Sequence, residues 1–142
     1  MKIENRDIFE QIGTIFYAIA AEQHVKPLEV AELKMLISRD WLPRNHEKTK
    51  SVVSDETHFI LTTLDALQGA ETTARYAFDQ FVHFYKLHSE LFSVDLAQRI
   101  VATATDITRI FQADSPLENK SLVALKALIL PENVRMHQDQ VG

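Results

Sequence analysis

The chain has 142 residues, enough for one domain with a real hydrophobic core. Its 46% hydrophobic and 25% charged residues match a folded globular protein and exclude a disordered one. The formal net charge of −5 offers no electrostatic reason to bind a phosphate backbone, and the absence of cysteine excludes disulfides, thiolate metal sites and cysteine nucleophiles.

The opening residues, Met1 to Asp7, place acids and a polar turn where a signal peptide would need an apolar run. No segment approaches the roughly 20 apolar residues of a membrane span, so a cytoplasmic protein without membrane insertion is expected. From Ile8 the apolar residues Phe9, Ile12, Ile15, Phe16 and Ile19 recur at spacings of three and four, which predicts a helix over roughly residues 5–23. Pro27 disfavours helical geometry at Lys26 and suits the first turn of a second helix, roughly 27–39, carrying Leu28, Leu33, Leu36 and Ile37. Trp41-Leu42-Pro43 breaks that helix, and residues 43–53 read as a polar loop.

Ser54, followed by Asp55 and Glu56, fits the capped start of a third helix that runs through Ile60 and Leu64 to a stop at Gly69. Residues 72–91, rich in aromatics from Tyr76 to Tyr85, predict the central helix, because apolar groups occupy more than one side. Ser93 caps a helix reaching about residue 112, and Pro116-Leu117-Glu118 opens a last one that Pro131 ends. The tail 132–142 has little apolar content and reads as mobile.

Two of these starts match. Pro27-Leu28-Glu29 with Leu33 and Leu36 recurs 89 positions later as Pro116-Leu117-Glu118 with Leu122 and Leu125. The expected fold is therefore all-α, a single-domain bundle of about six helices over residues 1–131 with an internal pseudo-repeat of a helical hairpin. Its four leucines are expected in one shared core.

The segment from Phe16 to Glu29, with Leu33 and Leu36, resembles the helix-turn-helix of the TerB-like family, known from tellurite resistance and from some DnaJ-like co-chaperones. Phe78 to Phe92 resembles the middle region of that family. The resemblance implies a helical interaction domain linked to stress response, with acidic turns that hold a divalent cation. Where the family usually has Asp-Gly, this chain has Glu22-Gln23 and, in the second copy, Phe111-Gln112. Glu22 and Glu29 remain as equivalents in the first copy, and Asp114 and Glu118 in the second.

Read from its residues alone, the turn groups Glu22, His24 and Glu29, oxygen and imidazole donors suited to Zn²⁺ or Mn²⁺. The competing reading gives Glu29 to the helix dipole and leaves Glu22 and His24 facing water. Asp79 and His83 lie four apart on one helical face, either as a carboxylate orienting an imidazole or as an ordinary surface pair. Asp55 and His58 also offer donors, while His46 and His137 fall in loop and tail. The aromatic helix either fills the core or lines a ligand pocket. Trp41 either anchors its loop or meets a partner protein.

No Gly-x-Ser-x-Gly elbow, His-Glu-x-x-His motif or phosphate loop is present in the sequence. The sequence thus points to a non-enzymatic protein-interaction module with another protein as partner. The alternatives are a small-ligand or metal-binding bundle and, more remotely, a hydrolase using carboxylates and histidine.

Overall fold

The structure, a computed structural model, describes residues 3–41, 55–111 and 118–131. Among these residues there are six α-helices and no strand. They are α1 (Asn5–Glu22), α2 (Val30–Asp40), α3 (Asp55–Gly69), α4 (Ala74–His88), α5 (Val94–Ile110) and α6 (Lys120–Ile129). A single 3-10 turn, Pro27–Glu29, leads into α2, and another, Ser89–Leu91, follows α4. The all-α bundle expected from periodicity is therefore the fold. The predicted loop 43–53, Ser54, Asp114, Pro116, Leu117 and the tail 132–142 lie outside the described residues.

The central helix is α1, not the aromatic α4. It packs against α3, α4, α5 and α6. Residues on all its sides are buried, from Phe9 through Ile12, Ile15 and Phe16 to Ile19, which is the pattern of a helix enclosed by its neighbours. In α4 only Ala77 and Phe81 are buried. Its other aromatics pack at the margin: the Tyr85 ring lies 5.1 Å from that of buried Phe92, beyond the helix, and Phe84 4.8 Å from His88, while Tyr76 faces solvent. Aromatic content signalled bulk, and the smaller aliphatic residues of α1 took the centre because they allow close approach on every side.

Gly13 shows how close. A Cβ added there would stand 2.6 Å from the Ile60 carbonyl oxygen of α3. The other near atoms are the Thr63 Cβ at 3.0 Å and the Ile60 Cα at 3.2 Å, none of which a rotamer change can move.

Leu33, Leu36, Leu122 and Leu125 are all buried in one cluster, as the repeat requires. The copies otherwise part. Leu28, expected on the second helix, lies in the turn before α2 and is 96% exposed. In the second copy Glu118 precedes the helix, and Asn119 caps α6 by accepting from the Leu122 N–H at 3.1 Å. Ser93 caps α5 in the expected way, accepting from the Leu96 N–H.

Helix α3 runs through Gly69 rather than stopping at it. The left-handed residue that ends it is Glu71, with φ 55°. The Thr72 N–H bonds to the Leu67 carbonyl and that of Glu71 to the Gln68 carbonyl, a Schellman ending without glycine.

Gly13→Ala and Gly69→Ala are expected to act with opposite sign. The first overpacks the α1/α3 crossing and costs about 1–3 kcal/mol. The second meets nothing within 4 Å and gains about 0.5–1 kcal/mol from helix propensity. Urea unfolding of the two variants beside the parent chain checks both signs.

Candidate functional site

The C-terminal end of α1 is where the sequence placed its candidate ligands. The helix ends in a Schellman motif: the Val25 N–H bonds to the Ala20 carbonyl and the His24 N–H to the Ala21 carbonyl, each at 3.1 Å. His24 occupies the left-handed position with φ 60°, one that favours glycine. The chain is thereby turned sharply enough for Lys26 and Pro27 to start α2 back along α1.

Each acid of the turn has a defined role. The two Glu22 oxygens accept from the backbone N–H groups of Lys120 (2.6 Å) and Ser121 (3.1 Å), and from the Ser121 hydroxyl (2.5 Å). A carboxylate at a helix N-terminus satisfies free N–H groups and meets the positive end of the dipole. Glu29 reaches back to accept from the Lys26 N–H at 2.8 Å, closing its own turn. His24 is exposed and shares neither arrangement. Glu22 and Glu29 thus serve two different helix starts and His24 neither, and among the described residues no group of three His, Asp or Glu side chains is placed to hold a metal ion.

Beside this turn lies a cleft of about 420 Å³ between α1, the start of α2 and the end of α3. Ala20, Val25, Pro27, Val30, Leu33 and Leu64 form its apolar walls, with Tyr17, His24, Lys26 and Gln68 as its polar groups. The Tyr17 hydroxyl donates to the Thr72 carbonyl at 2.5 Å. Burial, and then the charge of Glu71, push the Tyr17 phenol above its ordinary value, so it remains a neutral donor. Sequence reasoning missed this cleft because Tyr17 and Gln68 read there as ordinary helix positions. The only signal was the turn itself.

The other sequence candidates lie elsewhere. Trp41 is 1% exposed, which overturns its reading as a partner-contact residue. Its indole N–H donates to the Thr103 hydroxyl at 2.9 Å, its ring meets Phe9 and Phe16 edge-on, and the Arg99 guanidinium lies 4.2 Å from the ring centre. Such a large aromatic finds more contact inside the bundle than it could on the surface. His83 and Asp79 are both exposed, and Asp79 pairs with Arg75 at 3.4 Å, one turn before it. Asp55 and His58 are exposed in the first turn of α3.

A carboxyl pair not singled out from sequence joins α2 to α5. Burial raises Asp106 above its ordinary 3.8, as does a hydrogen bond shared with Asp40 and that group's charge, against the pull of Arg109 and Arg39. Arg109 lies 3.7 Å from Asp106 and Arg39 3.3 Å from Asp40.

Comparison of the chain with family models, curated proteins and solved structures gave no match in any of the three.

Two outcomes follow from these placements. Glu22→Gln removes a charged acceptor of the α6 N-terminus and is expected to cost about 1–3 kcal/mol. The loss should be the same with chelator or with Ca²⁺, Mg²⁺, Mn²⁺ or Zn²⁺ added, as thermal unfolding under each condition would report. A metal-ligand role would instead make the loss appear only with the metal.

For Asp106 the raised folded-state value means the native chain holds its proton more tightly than the unfolded chain. The stabilisation is complete below pH 3.8 and is lost as pH rises through the raised value. Asp106→Asn is expected to flatten that decline and to raise the melting temperature at neutral pH, measured as unfolding against pH.

Proposed function

We propose that this protein is a non-enzymatic interaction module akin to TerB-like domains, acting by binding another protein. A stress-response setting, tellurite resistance included, and a link to divalent cations are what that kinship implies. The observation that carries the reading is the outward side of α2. Leu28 is 96% and Met35 71% exposed, and with exposed Ala31 between them they follow helical spacing along one edge. Single exposed apolar residues are ordinary, but a row running from the turn before α2 onto that helix supplies the apolar centre of an interface, with Glu32 and Arg39 as its polar rim.

The acids considered for chemistry support the same reading. Glu22 and Glu29 serve as helix caps, and Asp79 is paired with Arg75. A stable interface takes roughly 800 Å² from each partner, so the row would form only its middle. Photo-crosslinking from position 28 in native lysate is expected to trap one predominant partner. Met35→Asp should abolish the product, while Tyr76→Asp, on the exposed side of α4, should leave it intact. Equal loss in both variants, or turnover in a hydrolase screen that Asp79→Asn abolishes, would remove this reading.

A second reading, a small-ligand-binding bundle, is favoured by the cleft at the end of α1. Its volume lies within the range of small-molecule sites, and apolar walls with few polar groups are their usual construction.

A further inference from the structure

We propose that the cleft between α1, α2 and α3 binds a small amphipathic carboxylate, its apolar body against Val30, Leu33 and Leu64 and its head beside Lys26 and His24. The inference rests on the small-ligand reading and adds the chemical class.

The sign of the head follows from the rim. Lys26 and His24 line the cleft, and among the described residues that line it there is no acid. Glu29 is held outside it by the Lys26 N–H. The C-terminal ends of α1 and α3 would ordinarily favour a cation. Here the carbonyls of Ala20, Ala21, Leu67 and Gln68 are occupied by Schellman bonds and that of Thr72 by the Tyr17 hydroxyl, which weakens that preference.

The orientation follows from Glu71. The Tyr17 hydroxyl is bonded to the carbonyl of Thr72, the residue next to Glu71, so the Tyr17 end of the cleft lies toward an acid while the other end carries Lys26 and His24. Val30, Leu33 and Leu64 supply apolar wall for the tail. The cleft volume of about 420 Å³ accommodates a chain of medium length.

Octanoate, octanol and octylammonium share one tail and differ in the charge of the head. Titrated at neutral pH into ¹⁵N-labelled protein, octanoate is expected to shift the amides of Ala20, Val25, Val30 and Leu64 with a Kd on the order of 1 mM. It should bind about threefold more tightly than octanol, the effect of one exposed charge contact, and octylammonium most weakly. Lys26→Glu should reverse the order of the charged pair, and Lys86→Glu, the same charge change on exposed α4, should not. Equal binding of all three probes would overturn the carboxylate assignment and leave a ligand cleft standing. No shift at these amides with any probe would overturn both.

Discussion

The architecture depends on the enclosure of α1. A helix surrounded by four others gains hydrophobic burial on every side, but its end must still find partners for its carbonyl groups. Water cannot supply all of them at the end of α1, because α6 arrives there. The chain answers with the Schellman turn and with side chains from both directions: the Asn119 amide donates to the Ile19 carbonyl at 3.1 Å and to the Gln23 side-chain oxygen at 2.8 Å. Glu22 in turn serves the start of α6. One junction therefore closes the end of α1 and opens α6.

That junction explains why an acidic turn resembling a cation site has another use. Carboxylates suit bare N–H groups at a helix start as well as they suit a divalent ion, and the nearby helix start is part of the chain. Glu29 repeats the logic locally. The two Pro-Leu-Glu copies share the leucine spacing that buries α2 and α6. Core positions obey periodicity, whereas turn positions obey whatever end lies beside them.

This distinction sets how far the sequence could be read. The all-α class, the helix starts at Pro27 and Ser93 and the buried leucines followed from local rules. The central position of α1 did not, since its decisive feature is Gly13, whose missing side chain matters only once Ile60 lies against it. Trp41 beside Leu42-Pro43 looked like a surface anchor, but its surroundings come from Phe9, Phe16, Arg99 and Thr103, distant in the chain. Leu28 differs in another way: the sequence placed it on the second helix, whereas it falls in the 3-10 turn before α2 and faces outward. The cleft was illegible for a related reason. Its walls come from three helices, and only the bend at His24 was local.

The two ends of α2 are held differently. At its C-terminal end Trp41 is bonded on several sides: its ring and indole N–H engage α1 and α5, and its carbonyl accepts from the Thr57 hydroxyl of α3 at 2.8 Å. Toward its N-terminal end, buried Leu33 and the Lys34–Asp65 ion pair at 2.9 Å hold it to α3, and an exposed pair of that kind contributes little. Changes at Trp41 therefore act on the fold of the whole bundle. Changes in the side chains of Lys26 or Leu28, in the turn before α2, would alter the surfaces proposed for binding while the anchored half of α2 remains in place. The anchor of the fold and the proposed recognition surfaces lie toward opposite ends of α2, so they can be altered separately.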